Sequence, residues 1–235
     1  MARLEAARLE ARYGRAQVLF GVDLEVDAGE VVALLGRNGA GKSTTLKALI
    51  GLVAPSGGEV RFDGQRIDGL QPFEIARLGL GYVPEERRVF SDLTVLENLE
   101  TGRQPARAGA PEWSLPALFE LFPALGGMPG RLAARMSGGE QQMLSIARTL
   151  AGNPSLVMLD EPSEGLSQVV VEQLARMVAK IRLRGTGVLL CEQNLAFARR
   201  IADRAYVMEK GALVRAGTLV ELEADPRLRE EYLSV

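Results

Sequence analysis

Apolar and polar positions change period several times along the chain, and each change marks an element. Val31-Val32-Ala33-Leu34-Leu35 and Ser155 to Leu159 are short, nearly unbroken apolar runs, so each predicts a strand covered on both faces. Gly187 to Cys191, Leu80 to Val83 and Arg204 to Met208 predict three more. Gln168 to Leu183 instead repeats at helical spacing, with Val170, Val171, Leu174, Met177, Val178 and Ile181 on one face and Glu172, Gln173, Arg176 and Lys180 opposite. Further helices are predicted for Thr45 to Ile50, from near Pro72 to about Leu78, and for Leu195 to Ile201, Thr218 to Glu223 and Pro226 to Leu233. Val18 to Val26 reads as extended. Residues 3 to 12 stay open, because Ala, Leu and Glu favour a helix while the neighbouring segment favours a strand. Asp27 to Glu30 predicts a turn and Pro55-Ser56-Gly57-Gly58 a loop, and Glu59 to Phe62 with Ile67 flanks Asp63-Gly64 as a small hairpin.

From Glu85 to about Ala134 the pattern becomes helices broken by Pro and Gly, with a loose arm expected at Pro105 to Pro111. Strands and helices alternate on either side of it. The chain therefore predicts an α/β fold carrying a helical insertion.

Composition narrows the function. The 235 residues suffice for one large or two small domains, and 47% hydrophobic against 25% charged is ordinary globular composition. A net charge of −2 leaves no electrostatic footprint for nucleic acid. The single cysteine, Cys191, rules out an intramolecular disulfide, fits a reducing compartment and sits in a run that predicts burial. Histidine is absent, which excludes a His metal site and a His general base. Met1 to Arg12 alternates Leu and Ala with Arg and Glu, so no signal-peptide core is expected. Nowhere do 18 apolar residues run together, so a membrane role must come through a partner.

Gly36-Arg37-Asn38-Gly39-Ala40-Gly41-Lys42-Ser43-Thr44 is a G-x-x-x-x-G-K-S loop between a predicted strand and a predicted helix. Its glycines let backbone N–H groups and the helix N-terminus approach phosphate, Lys42 adds a charge for the β- and γ-phosphates, and the Ser43 hydroxyl suits Mg²⁺. The strand ending in Leu159-Asp160-Glu161 then supplies Asp160 to hold Mg²⁺ and Glu161 to orient or deprotonate the attacking water. Ser137-Gly138-Gly139-Glu140 has capping-box spacing at the start of a helix whose apolar positions are Met143, Ala147, Leu150 and Ala151, and its two glycines fit a helix end open to a second phosphate contact.

The loop 36–44, Met136-Ser137-Gly138-Gly139-Glu140-Gln141-Gln142 and Leu159-Asp160-Glu161-Pro162-Ser163 together resemble the nucleotide-binding subunit of an ABC transporter. Val83-Pro84-Glu85-Glu86-Arg87-Arg88-Val89-Phe90 and Cys191-Glu192-Gln193-Asn194 are similar to the LivF-type ATPase of branched-chain amino-acid importers. The resemblance spans essentially the whole chain. It implies a P-loop NTPase core with an antiparallel β subdomain and a helical insertion, as one domain over 1–235. Residues 1–85 and 155–235 would form the catalytic core with the β subdomain, and about 86–154 the helical signature subdomain. It resolves residues 3 to 12 towards strand.

The resemblance also implies ATP sandwiched between two such subunits, the P-loop of one facing Ser137, Gly138 and Gly139 of the other. Tyr13 matches the aromatic that stacks on adenine. Glu85 stands where a Gln usually senses Mg²⁺ and water, and Gln193 where a His usually contacts the γ-phosphate. Glu164, in the loop expected to cross the dimer interface, replaces an apolar residue. Expected partners are a second ATPase subunit, like or unlike, transmembrane permease subunits and, indirectly, a solute-binding protein, with no nucleic acid. The expected place is the cytoplasmic face of the membrane. Powering a urea or amide importer, and soluble non-transport ABC work, are the competing readings. Arg87-Arg88 is expected to be a solvated or interface feature.

Overall fold

The computed structural model describes residues 3–224. In chain order, β1 (Leu4–Tyr13) and β2 (Ala16–Val26) form a hairpin, then β3 (Val31–Leu35) leads into α1 (Lys42–Leu49). β4 (Pro55–Phe62), β5 (Gln65–Arg66), α2 (Pro72–Leu78) and β6 (Leu80–Val83) follow. Next come α3 (Val95–Gly102), α4 (Leu115–Leu121), α5 (Pro123–Gly126) and α6 (Gly138–Ala151). The chain then returns to β7 (Leu156–Asp160), α7 (Gln168–Leu183), β8 (Gly187–Glu192), α8 (Leu195–Ile201), β9 (Arg204–Glu209), β10 (Ala212–Gly217) and α9 (Leu219–Ala224). The helix expected over Pro226 to Leu233 lies outside the described residues.

One sheet is antiparallel, in the order β2-β1-β4-β5. The other runs β10-β9-β3-β8-β7-β6, parallel from β9 to β6 with β10 antiparallel at one edge. Alternate residues of its central strands enter different cores: Val31, Val157, Leu159, Val188 and Leu190 meet α6 and α7, while Val32, Leu34, Leu156, Met158, Leu189 and Cys191 face the antiparallel sheet and α1. Burial on both faces is why these strands read as unbroken apolar runs.

Residues 3 to 12 are strand. Leu4 and Ala6 are buried, then Leu9 and Ala11, and the pairing shifts between the two pairs, where Arg8 adopts a φ of 49°. That bulge breaks the period of two, which is why the pattern could not separate strand from helix. The same bulge corrects the loop expected at Pro55 to Gly58, which is instead the start of β4. A Cβ on Gly58 would come within 2.3 Å of the Arg8 carbonyl oxygen, so this glycine marks a close backbone approach inside a sheet.

Two further expectations change. β10 was missed: Lys210 and Gly211, both at positive φ, turn the chain into an edge strand whose residues are mostly half-exposed and carry little apolar alternation. The arm at 105–111 is tied down rather than loose. The Arg107 guanidinium donates to the carbonyls of Gly152 and Asn153 beyond α6, at 2.6 and 2.7 Å, and to those of Ala76 and Arg77 in the last turn of α2, at 3.3 and 3.1 Å. A cation answering the carbonyl ends of two helices is favourable for both.

Gly58→Ala is expected to destabilise the fold by more than about 1 kcal/mol, because it adds a methyl against backbone at a φ of 83°. A urea midpoint equal to that of the parent chain would contradict the close approach. Glu30 meets Arg204 through two hydrogen bonds of 2.7 and 3.1 Å. Burial pushes the Glu30 carboxyl up, but the Arg204 hydrogen bonds and charge and the Asp27 amide outweigh it, so its folded-state pKa is lowered. That contribution is fully present above the ordinary carboxylate range and is lost as pH falls through the depressed value. Urea titrations at pH 7 and at pH 3 should therefore differ less in Arg204→Gln than in the parent.

Candidate nucleotide site

The C-terminal ends of β3, β7 and β8 lie side by side, and each leads into a functional segment. β3 opens into the loop 36–41, which turns through Gly41 at a φ of 113° into α1. A Cβ there would lie 3.1 Å from Leu19 and 3.2 Å from the Met208 sulfur, so only glycine gives this helix its entry. No side chain caps α1, which leaves its first backbone N–H groups for a ligand, the arrangement that suits phosphate.

Lys42 is 3% exposed, and its ammonium donates to the Gly36 carbonyl at 2.8 Å and the Arg37 carbonyl at 3.3 Å. Its charge is answered by Glu161 at 3.0 Å. Glu161 itself follows β7 at a φ of 45°, unusual for a residue with a Cβ, and its amide donates to the Cys191 carbonyl at 3.0 Å. Burial raises its pKa, but hydrogen bonds from Gln193 and Lys42 and the lysine charge more than offset this, so it is held as a carboxylate below the ordinary range. The Gln193 amide nitrogen donates to Glu161 at 2.9 Å and to the Asn38 side-chain oxygen at 2.6 Å. Both of its protons are therefore used inside the subunit.

Asp160 is buried at the end of β7. Ser43 Oγ donates to its Oδ1 at 2.8 Å and the Tyr82 hydroxyl to its Oδ2 at 3.1 Å. Burial raises its pKa against those two bonds. A hydroxyl and a carboxylate in contact are oxygen donors of the kind a hard divalent cation takes, so the residues fit Mg²⁺. Among the described residues no group of three or more His, Cys, Asp or Glu side chains is gathered for a metal, so such an ion would draw on nucleotide oxygens as well.

Asn38, Gly39, Gly41, Lys42, Ser43, Thr44, Glu85 and Glu161 line one cleft of about 420 Å³, together with Val18 and Glu164. Gly36 and Ala40 form the back of the loop, where the Ala40 carbonyl accepts from Gly211. Glu164 has its pKa raised by burial and by the neighbouring charges of Glu161 and Glu85, so three carboxyl groups converge on one side. Tyr13 does not line this cleft: it ends β1 opposite Ala16 and is half exposed.

Ser137, Gly138 and Gly139 lie elsewhere. Ser137 caps α6, its hydroxyl accepting from the Glu140 amide at 3.3 Å while the Glu140 carboxylate accepts from the Ser137 amide at 2.7 Å. Ser137 and Gly139 line a separate hollow of about 410 Å³ between α5, α6 and α7. A Cβ on Gly138 would meet Arg87 Nη1 at 2.6 Å, so of the basic pair expected as a solvated or interface feature Arg87 lies against the start of α6, while Arg88 is exposed.

Two contributors have contacts at the site that the sequence reading did not assign. Tyr82 is one. The other is Glu192, buried with its pKa raised by burial, which accepts from the Ser163 amide at 3.0 Å and the Asn194 amide at 3.3 Å and so ties the loop after Glu161 to the one holding Gln193. Glu192 ends an apolar strand, and its neighbours in the sequence do not reveal that its acceptors will be met by backbone.

The profile of the family described as ABC transporter matches residues 19–164. The chain belongs to the ABC transporter family. It is 42% identical over 96% of its length to the high-affinity branched-chain amino acid transport ATP-binding protein BraG of Pseudomonas aeruginosa, covering 97% of that protein. It is 35% identical over 98–99% of both chains to the lipopolysaccharide export system ATP-binding protein LptB of Escherichia coli. Among solved structures, the ATP-binding subunit of an ABC transporter superposes with a TM-score of 0.83 at 32% identity, over 98% of this chain and 95% of that one. An ATP-binding cassette in its ADP conformation gives 0.84 at 25% identity, over 98% of both. The ABC ATPase fold expected from the sequence is therefore the one found, and the chain is an ATP-hydrolysing ABC transporter subunit.

Glu161→Gln removes the charge that answers Lys42, so Mg²⁺-free ATP is expected to bind about tenfold more tightly to this variant than to the parent. Equal affinities by fluorescence titration would show that the ion pair does not compete with phosphate.

Proposed function

We propose that this subunit powers an importer of branched-chain or related amino acids as one half of an ATP-bridged pair. The observation that carries the pairing is the separation of two phosphate-directed parts: the loop 36–44 and the start of α6 open onto different hollows of one chain. A second subunit turned head to tail would bring its Ser137, Gly138 and Gly139 over ATP held by the first. Lys42 and the free N–H groups of α1 would hold the β- and γ-phosphates, with Gly36, Asn38, Gly39, Ala40, Gly41 and Thr44 shaping the loop. Ser43 and Asp160 would hold Mg²⁺, with Glu85 at the cleft wall, and the bound ion supplies charge neutralisation for the phosphate oxygens. Glu161 would take the proton of the attacking water, and Gln193 would orient it. Tyr13 would stack on adenine from the partly exposed hairpin.

The cargo rests on BraG, whose identity of 42% exceeds the 34–37% of the LptB relatives, and on Glu85 and Gln193, which match the LivF-type pattern. Residues 86–154 would form the signature subdomain that moves on the core. Between them lies a second groove lined by Phe73, Arg77, Tyr82, Phe90 and Arg148, where the half-exposed Phe73 and Phe90 suit the docking of a permease segment. Among the described residues no helix is long and apolar enough to cross a membrane. The subunit would sit at the cytoplasmic face on its permease, with a solute-binding protein acting through that permease alone.

Three outcomes are expected. In Glu161→Gln, phosphate release falls more than about 100-fold while ATP binding persists; near-normal turnover removes Glu161 as the base. Wild type needs Mg²⁺ more steeply than Glu85→Gln, because a carboxylate beside the phosphates opposes them until the metal is present; superimposable Mg²⁺ titrations contradict this. Tagged and purified with its native permease into liposomes, the chain drives ATP-dependent leucine uptake. Uptake of urea instead, with none of leucine, assigns the competing cargo.

A further inference from the structure

Tyr82 belongs to none of the motifs that identify the family, yet its side chain reaches the nucleotide site. β6 pairs with β7 in parallel register, Tyr82 opposite Met158 and Val83 opposite Leu159. Paired residues of a parallel ladder share a face, and so do positions two apart, so Tyr82 stands on the same side of the sheet as Asp160. Its hydroxyl donates to Asp160 Oδ2 at 3.1 Å, while Ser43 Oγ donates to Oδ1 at 2.8 Å. Those two hydroxyls are the side-chain donors to this carboxylate among the described residues. At 1% exposure Asp160 has little access to water as a substitute. The flank of Tyr82 also lines the groove with Phe73, Phe90 and Arg148, three residues before Glu85.

We propose that Tyr82 is a positioning residue for the divalent cation: by holding Oδ2 it fixes the carboxylate plane and leaves Oδ1 facing Ser43 and the metal. A carboxylate oxygen buried without a donor is costly, so losing this bond would let Asp160 turn towards another partner and misdirect Oδ1. A hydrogen bond to a charged acceptor accounts for a change in metal affinity of about tenfold. The inference rests on the assignment of Ser43 and Asp160 as the residues that would hold Mg²⁺.

The test uses the full chain with saturating ADP and reads Mn²⁺ binding from the electron paramagnetic resonance of the free ion, with fluorescent N-methylanthraniloyl-ADP binding in EDTA as the metal-free control. Tyr82→Phe is expected to bind Mn²⁺ about tenfold more weakly while its metal-free ADP affinity stays within about twofold of wild type. Asp160→Asn is expected to lose more. If Tyr82→Phe matches wild type while Asp160→Asn loses Mn²⁺, the role of Tyr82 is overturned and the metal assignment stands. If Asp160→Asn also binds Mn²⁺ normally, the assignment itself fails. Parallel loss of metal-free ADP binding, or of the melting transition, in Tyr82→Phe would make it a residue of the fold and overturn the inference as well.

Discussion

A buried ammonium needs an answering charge, and Lys42 decides much of what surrounds it. With 3% of its surface exposed it has little recourse to water, so the loop carbonyls of Gly36 and Arg37 and the carboxylate of Glu161 take that place. Breaking such a pair by removing one partner leaves an uncompensated charge, which typically costs about 3–5 kcal/mol. On the proposed reading, a phosphate arriving at α1 would supply the replacement and free Glu161, whose second oxygen is held by Gln193, so that occupation of the lysine and release of the carboxylate would be linked by charge balance.

The sheet makes this arrangement possible. Three neighbouring parallel strands end together: β3 leads into the glycine-rich loop 36–41, β7 ends at Asp160 just before Glu161, and β8 ends at Glu192 just before Gln193. Ligand sites at the carboxyl ends of such strands follow from the geometry of open α/β sheets. Glu161 at positive φ and three converging carboxyl groups are local costs that the rest of the fold carries. Arg107 ties the helical segment to the last turn of α2 through the carbonyls of Ala76 and Arg77.

Much of this was legible in the sequence where one signal acted alone. Apolar runs gave β3, β7 and β8 because both faces are covered, and helical spacing gave α7 within its observed bounds. The loop 36–41 between β3 and α1 was legible because its motif is made of residues adjacent in the chain. What stayed hidden depends on contacts between distant segments. Gly57-Gly58 looked like a loop until the Arg8 bulge explained the missing side chain. Arg107 looked mobile because its four carbonyl partners come from residues 76–77 and 152–153. Tyr82 and Glu192 are ordinary strand residues until the parallel register brings them to the site. Cys191 was read correctly as buried, since only strand packing acts on it.

A crystal structure of Glu161-intact protein with a non-hydrolysable ATP analogue tests the central claim most directly, by locating Lys42 Nζ. The account predicts that Nζ bonds phosphate oxygens, that the Glu161 carboxylate has left it, and that Ser137 to Gly139 of a second subunit closes over the same phosphates. A bound nucleotide with the Lys42 and Glu161 pair still at 3.0 Å would contradict it.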